Sequence, residues 1–469
     1  MIVKNEEHFL PNCLASVIGV VDEIVVLDTG STDRTCEIAV SAGARLEHFE
    51  WCDDFAAARN AAVSYATGDW VLVLDADEVL VKGAGAAIRA ALNHPGIYCG
   101  MLPMHHASRL NVTQEEVVSG DQRIGEPTWL PRLFKRTSDL QWEGIVHESP
   151  IAWLQSRGGV GTCVQAPIIH FGSVPSFRKS NNRDSRNLSL LRKDVALNPD
   201  CWISKVYLAC TLHTLGEREE AIVVIDEAWS MIMAQVPDII RVNKARDSSR
   251  DHMPTGVVKG FTAFAQLLIE KSAYKACLTL VATALEMGID HPNTFYVAGV
   301  CYENLALVDT DNRMAHLVGA KNSYSAALAF GGRAMTDQVL EGASTWQGEI
   351  RLATVLLQLG EQAHAFQLFR DNREREPELA VLGASEALIG MGKPVEALNL
   401  LRAIIEDTAS VDGCILAAQV CLQQNEMASF QSLLQCAYDG VIDGLKERHR
   451  LKILNELLAH PAQAIRRVS

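Results

Sequence analysis

The stretch that decides the fold is Asp69-Trp70-Val71-Leu72-Val73-Leu74-Asp75-Ala76-Asp77-Glu78. A short apolar run rich in Val and Leu follows Gly68, which predicts a buried strand of a parallel sheet. The run ends in two carboxylates one residue apart. At the carboxyl end of such a strand both are expected to face the crevice where open α/β sheets bind ligands. Two hard oxygen donors there suit Mg²⁺ or Mn²⁺ held against a diphosphate. An Asp-x-Asp pair arises by chance in chains of this size, so its neighbours decide the reading.

Upstream, Met1-Ile2-Val3-Lys4-Asn5-Glu6-Glu7 reads as the tail of a short first strand entering a polar turn. Helical spacing runs from Phe9 to Val20. A second strand, Glu23 to Leu27, ends in Asp28-Thr29-Gly30-Ser31-Thr32-Asp33. Gly30 permits a tight turn there, and Ser31 or Thr32 can cap the next helix. Arg45 to Glu50 predicts a third strand. Trp51-Cys52-Asp53-Asp54-Phe55 leads into an Ala-rich helix through Arg59 and Asn60, closed by Gly68. The alternation is βαβαβαβ, the pattern of a parallel sheet with a nucleotide-type crevice.

Four motifs stand in order: Val3-Lys4-Asn5-Glu6, Leu27-Asp28-Thr29-Gly30-Ser31-Thr32-Asp33, Trp51-x-Asp53-Asp54-Phe55 with Arg59-Asn60, and Asp75-Ala76-Asp77-Glu78. Together they resemble glycosyltransferase family 2, of the GT-A fold, over roughly residues 1–175. The resemblance implies a nucleotide-sugar donor, a UDP-sugar first among them, a divalent metal and inversion at the anomeric carbon. It implies that Lys4, Asn5, Glu6 and Asp28 line the nucleoside pocket and that Arg59 sits at the nucleotide end. Asp75 would touch the ribose or a metal-bound water, and Asp77 would ligate Mn²⁺ or Mg²⁺. The short first strand departs from the family pattern and weakens one wall of that pocket.

Two other motif readings fall away. Asp28-Thr29-Gly30 resembles an aspartic-protease signature, but that chemistry needs two carboxylates sharing a proton, and no second Asp-Thr/Ser-Gly exists. Asp75-Ala76-Asp77 resembles the nucleophile motif of haloacid-dehalogenase-like phosphatases. That motif lies on the opening strand of its domain, whereas three predicted strands precede it here.

Beyond Asp77, Ile97 to His105 predicts a strand, and residues 106–128 read as a polar acceptor-side loop. Leu130-Pro131-Arg132-Leu133-Phe134-Lys135 leads to Trp142-Glu143-Gly144-Ile145-Val146-His147-Glu148. These segments resemble the acceptor half of the family. There an acidic residue acts as general base and a later His completes the metal site. Glu148 and His170, in Ile168-Ile169-His170-Phe171-Gly172, occupy those places. An inverting transfer needs a base to take the acceptor proton as the anomeric carbon is attacked. The bland alternatives are a salt-bridged or capping carboxylate for Glu148 and a core histidine for His170; Asp121 and Glu143 are the next candidate bases. His147 reads as a structural hydrogen-bonding residue. Arg178, Lys179, Arg183 and Arg186 read as a solvated basic face that is within possible reach of the diphosphate.

The second half changes period. Leu208, Leu212, Gly216, Ala221 and Ile225 recur as Leu352, Leu356, Gly360, Ala365 and Phe369, then as Ala384, Leu388, Gly392, Ala397 and Leu401. The last two sets lie 32 residues apart, near the ~34-residue tetratricopeptide period. Weaker units include Ala276 with Leu280, and Gly299-x-x-Tyr302 with Ala320, Tyr324 and Ala327, broken by an insertion near Asp309 to Asn312. Ile415 to Tyr438 and a helix from Gly444 to Leu458 read as a cap, and 239–257 as an uneven joining segment. A stack of helix pairs resembling tetratricopeptide repeats offers a concave face for a peptide, a protein or a second subunit, so a homo-oligomer through the repeats is possible.

Composition sets the remaining bounds. A net charge of −15 argues against nucleic acid as partner. No apolar run reaches the ~18 residues of a membrane span, and no leader with an apolar core is visible at the N-terminus. The twelve cysteines include no Cys-x-x-Cys, and Cys210, Cys277 and Cys421 fall in apolar helical patterns. These features point to a reduced, cytoplasmic protein, in which the sequons at Asn111 and Asn187 carry no meaning.

The expectation is an α/β GT-A glycosyltransferase domain over 1–180, with a mostly parallel sheet, followed by an all-α tetratricopeptide-like solenoid over 181–469. Its expected activity is inverting, metal-dependent, hexosyltransferase-like sugar transfer to a peptide or protein acceptor held by the repeats. Transfer to a cell-surface polysaccharide or lipid-linked glycan, and a repeat scaffold carrying an inactive transferase domain, are the alternatives. Intact Asp28, Asp75 and Asp77 weigh against the last.

Overall fold

A computed structural model of the protein describes residues 1–93, 96–157, 161–174, 183–246, 256–331, 340, 342–408 and 410–440. The chain divides into two compact units. One holds Met1–Ala273 with Ala282–Asp290, and the other holds Tyr274–Val281 and the helices from Pro292 onward.

The first unit opens with β1 (Ile2–Val3), α1 (Leu10–Val17), β2 (Val25–Asp28), α2 (Thr35–Ser41), β3 (Arg45–His48) and α3 (Phe55–Ser64). β1, β2 and β3 pair in parallel, with Ile2 opposite Leu27 and Val25 opposite Arg45. Val26 and Leu27 are fully buried, as the continuous apolar run of β2 requires. β4 (Trp70–Leu72) breaks the expected parallel series, because its partner is β7 (Arg123–Lys135), which runs antiparallel with Val71 opposite Phe134. Between β4 and β5 (Glu78–Leu80) the chain turns sharply. Glu78 N–H donates to the Asp75 carbonyl at 3.0 Å, and Asp75 N–H donates to Glu78 Oε2 at 3.0 Å. Asp75 and Asp77 therefore sit on a tight turn rather than at the end of one long strand.

The second sheet has the order β4-β7-β6-β9-β5, with β6 at Cys99–Ala107 and β9 at Ile168–His170; β8 (Thr162–Cys163) pairs beside β6. β6 and β9 are parallel, while β6–β7 and β5–β9 are antiparallel. Leu80, Leu102, Leu133 and Ile168 pack with Cys13 and Val17 of α1 and Ile88 of α4 (Ala84–Leu92). Burying each such aliphatic side chain stabilises by up to ~1.5–3 kcal/mol. The opposite face carries Ile169 and Ala107 against Val117 of α5 (Gln114–Ser119).

Residues 106–128, expected as an acceptor-side loop, instead form the end of β6, helix α5 and the first half of β7. Thr113 and Glu116 make a reciprocal capping box that starts α5. A short helix, α6 (Ile151–Gln155), follows the Glu148 segment.

The helical half follows the repeat reading. α7 (Arg183–Leu197), α8 (Trp202–Thr214), α9 (Arg218–Arg246) and α10 (Val257–Glu270) belong to the first unit. α11 (Tyr274–Glu286) is divided between the two. The second unit continues with α12 (Pro292–Val308), α13 (Arg313–Leu328), α14 (Trp346–Gln358), α15 (Gln362–Asp371), α16 (Pro377–Gly390), α17 (Pro394–Thr408), α18 (Val411–Gln423) and α19 (Met427–Gly440). The recurrent glycines Gly216, Gly360 and Gly392 all have positive φ, at +89°, +79° and +73°, in the turns α8–α9, α14–α15 and α16–α17. This is the left-handed residue that ends a helix and starts its partner. The recurrent alanines Ala221, Ala365 and Ala397 are fully buried where the paired helices meet. The insertion near Asp309 is a single 3₁₀ turn, Thr310–Asn312. The uneven segment 239–257 begins as the end of the long helix α9; its residues 247–255, like the expected helix 444–458, lie outside the described residues. So does the expected domain boundary near 180.

Candidate active site

A cleft of about 770 Å³ lies above β1, the β4–β5 turn and the segment carrying Glu148. Its size suits a ligand larger than a monosaccharide. Lys4, Asn5, Glu6, Arg59, Asp75, Asp77, Glu148 and His170 all line it. Eight of the nine residues singled out from the sequence thus converge on one cavity, although they span most of the first 170 positions.

The ninth, Asp28, lies beneath the wall, and Thr29 is the lining residue there. The Asp28 carboxylate is 3% exposed and accepts from Gly30 N–H at 3.0 Å and Ser31 N–H at 3.1 Å. Burial opposes its charge, but the bonds from Ser31 and Gly30, with His48 beside it, hold it below the ordinary carboxylate range. Asp28, Cys36 and His48 also bring their ligand atoms within 4.8 Å of one another.

The Lys4-Asn5-Glu6 turn is zipped to the loop after β2. Asn5 sits in the left-handed region at φ 56°. Its N–H donates to Ser31 Oγ, its Oδ1 accepts from Thr32 N–H, and Glu6 N–H donates to Thr35 Oγ1. Asn is among the residues that tolerate this backbone. The Asn5 side chain thus builds the wall that the cleft uses.

Arg59 is buried at 6% exposure on α3, among Ala56, Ala58 and Ala62. The small alanines make room for its stem. Arg59 Nη2 and Nε both donate to Glu148 Oε1, at 2.8 and 3.1 Å, and Nη2 also reaches Asp75 Oδ1 at 3.2 Å. Arg132 of β7 pairs with Glu78, which is 1% exposed, and lies 3.5 Å from Asp75 Oδ2. Burial opposes the charge on Asp75, but Arg59 and Arg132 outweigh it and hold this carboxyl well below the usual range. Burial pushes Glu78 up, against the pull of Arg132. Sequence reading quoted Glu78 and Arg132 within the motifs but gave neither a role in the site; their pairing across β5 and β7 is visible only in the structure.

The Glu148 loop is clasped by the same helix. The Asn60 side-chain amide donates to the Trp142 carbonyl at 2.9 Å and accepts from Trp142 N–H at 2.8 Å. Phe55 N–H donates to the Ile145 carbonyl at 2.8 Å. Glu143 and Ser149 exchange backbone bonds and close the loop, with Gly144 and His147 at positive φ. His147 stacks on Tyr207 of α8 with ring centroids 4.0 Å apart, and Lys259 lies 4.2 Å over the other face of Tyr207. The expected structural hydrogen bond of His147 is thus replaced by a ring stack. Arg186 and Asn187 of α7 also line the cleft, and Arg186 lies over the Phe55 ring at 5.5 Å. Arg178 and Lys179 lie outside the described residues.

On the other side, His170 Nε2 faces Asp77 Oδ2 at 3.4 Å. Burial disfavours the His170 cation, but the bond to Asp77 and the nearby carboxylates outweigh it and raise its pKa. A Cβ built on Gly172 falls 2.0 Å from Asp77 Oδ2 and 2.8 Å from His170 Nε2. Gly172 thus lets the Asp77 carboxylate and the His170 ring pack against its Cα, where any side chain would collide with them. An Asp oxygen and an imidazole nitrogen 3.4 Å apart fit two neighbouring ligands of one divalent cation such as Mn²⁺ or Mg²⁺, each about 2.1 Å from the ion.

Residues 1–161 match the family profile of glycosyl transferase family 2. The chain is 46% identical over 148 residues to a TPR repeat-containing protein of Synechococcus elongatus, covering 32% of this chain and 34% of the relative. It is 29% identical over 227 residues to the SPbeta prophage-derived glycosyltransferase SunS of Bacillus subtilis, covering 47% of this chain and 50% of that one. The chain thus spans a third to a half of the length of these relatives. Among solved structures, the TPR protein YrrB is 17% identical and covers 47% of this chain and 93% of its own, with a TM-score of 0.34. No helix among the described residues is long and apolar enough to cross a membrane. Residues 1–161 therefore resemble a glycosyl transferase family 2 domain, and the array of helix pairs follows them.

Proposed function

We propose that the protein is an inverting, metal-dependent glycosyltransferase that moves a sugar from a nucleotide-sugar donor, a UDP-hexose first among them, to an acceptor held near the first repeat helices. The observation that carries this reading is the two-sided cleft: Asp77 and His170 face each other at 3.4 Å beside Gly172, and Glu148 stands with Arg59 and Asp75 on the other side.

Lys4, Asn5 and Glu6 form the nucleoside wall, with Asp28 supporting the Thr29 turn from below. Asp77 and His170 would hold Mn²⁺ or Mg²⁺, which supplies positive charge against the departing diphosphate. Asp75, fixed by Arg59 and Arg132, faces the donor between these groups. Glu148 takes the acceptor proton as the acceptor attacks the anomeric carbon from the face opposite the leaving group. Both Arg59 bonds fall on Oε1, so Oε2 is the oxygen placed for that proton. Arg186 and Asn187, from α7 just ahead of the first repeat pair, line the same cleft. This supports an acceptor, peptide or protein in preference to glycan, that touches the helical half and catalytic domain together.

Thermal unfolding with a panel of nucleoside diphosphates, with and without Mn²⁺, tests the reading. A ligand at a hundred times its dissociation constant stabilises by about 2.7 kcal/mol. The expected result is stabilisation by one nucleotide, dependent on Mn²⁺, that Asp77→Ala abolishes. Equal stabilisation of wild type and Asp77→Ala would overturn it.

A further inference from the structure

His106 has no place in the reading above, yet it sits behind the metal side of the cleft. β6 and β9 run parallel with His106 directly opposite His170, and β5 places Glu78 opposite His170 on the other edge. Cross-strand partners share a face of the sheet. Glu78, His170 and His106 therefore form one polar row across three strands that otherwise carry Leu80, Ile168 and Met104 on that face. The two rings meet edge to face, with centroids 5.1 Å apart. His106 Nδ1 and His170 Nδ1 are 2.9 Å apart, and Ser173 Oγ closes a triangle at 3.1 and 3.0 Å.

Two ring nitrogens at that distance share one hydrogen, because two lone pairs or two N–H groups would repel. The Nε2 atom of His170 points at Asp77 Oδ2. If that atom is to give its lone pair to a metal, the hydrogen of His170 must reside on Nδ1. His106 must then accept it, and its own hydrogen must sit on Nε2.

We propose that His106 is the positioning residue for His170: it accepts the Nδ1–H of His170 and so holds that ring with Nε2 presented beside Asp77 for a divalent cation. This rests on the reading of His170 as a metal ligand. Register does the work: β6 and β9 set the two residues opposite one another. Ser173, three residues beyond His170 in the following turn, keeps the Nδ1 pair from rotating away.

The test uses full-length protein with UDP as nucleotide and Mn²⁺ as titrant, followed by calorimetry. His106→Leu is expected to weaken Mn²⁺ by ~10–100-fold, the usual cost of removing the partner of a ligating histidine. His106→Asn, whose Oδ1 can accept the same hydrogen, is expected to stay within a few-fold of wild type. An unchanged affinity in His106→Leu, with loss in His170→Ala, overturns the role of His106 alone. An unchanged affinity in His170→Ala overturns the ligand reading itself. Nitrogen-15 spectra of histidine-labelled protein with Mg²⁺ and UDP give a second readout. His106 is expected to show a bare Nδ1 and a protonated Nε2. A proton found on His106 Nδ1 overturns the proposal even if the leucine variant fails to fold.

Discussion

Arg59 grips Glu148 through two N–H groups, Nη2 at 2.8 Å and Nε at 3.1 Å, both directed at the single oxygen Oε1. The pair joins residues 89 positions apart and sets the orientation of the carboxylate assigned to the acceptor proton. The guanidinium extends to Asp75 on the donor side. One buried cation therefore couples the two halves of the proposed reaction.

Glu148→Gln keeps size and one acceptor oxygen for Arg59. It is expected to lower turnover by ~10²–10⁴-fold while Mn²⁺-dependent nucleotide binding stays unchanged. Initial rates and calorimetry on the same variant check this. Near-normal turnover would move the base elsewhere, to Asp121 or Glu143.

Arg59→Leu leaves Glu148 without its hydrogen-bonded cation and Asp75 with Arg132 at 3.5 Å. Removing one partner of a buried ion pair costs ~3–5 kcal/mol. A fall of that order in unfolding free energy by denaturant titration is expected. A change under ~1 kcal/mol, the range of exposed pairs, would show that the pair is solvated.

The requirement for Gly172 is one of space, since a Cβ there would lie 2.0 Å from Asp77 Oδ2. Gly172→Ala is expected to drive the Asp77 carboxylate out of line with His170 and to remove Mn²⁺-dependent nucleotide binding while circular dichroism stays native. Full binding by the alanine variant would show that the Asp77–His170 arrangement is not needed to hold the ion.

His105 lies on the other face of β6, 5% exposed, with Nδ1 3.4 Å from Arg123 Nη1. Burial, then the Arg123 charge, lowers its pKa from the ordinary 6.5 to about 4. Above pH 6.5 the ring is neutral in both states. Between 6.5 and 4 only the unfolded chain takes up the proton, so stability falls as pH falls through that window. The shift corresponds to about 3 kcal/mol at its acid end. His105→Asn is expected to lose less stability than wild type between pH 7 and pH 4.5; equal losses in denaturant titrations would contradict it.

In the second unit, a Cβ on Gly383 would lie 2.3 Å from the Phe369 ring, which is 1% exposed. Gly383→Ala is expected to destabilise the α15–α16 pair by ~1–3 kcal/mol through overpacking. Hydrogen exchange of α15 and α16 amides reads this directly. Unchanged protection would mean that Phe369 repacks freely.

The sequence by itself determined the order of elements, the repeat pairs and the gathering of most site residues. These are local signals: an apolar run before Asp75, a left-handed glycine at a constant offset in each helix pair, and polar turns after short strands. The helices α8–α9, α14–α15 and α16–α17 follow from Gly216, Gly360 and Gly392 because only the turn residue need be special. Tertiary structure alone decided what each polar residue does. Arg59 and Glu148 meet because Asn60 and Phe55 clasp a loop more than 80 residues away. His106 meets His170 through strand register, which periodicity cannot supply when β9 has three residues. The β4–β5 turn and the antiparallel β4–β7 pairing were hidden for the same reason: pairing partners distant in sequence are selected by packing, and no residue pattern within the strand records which edge it joins.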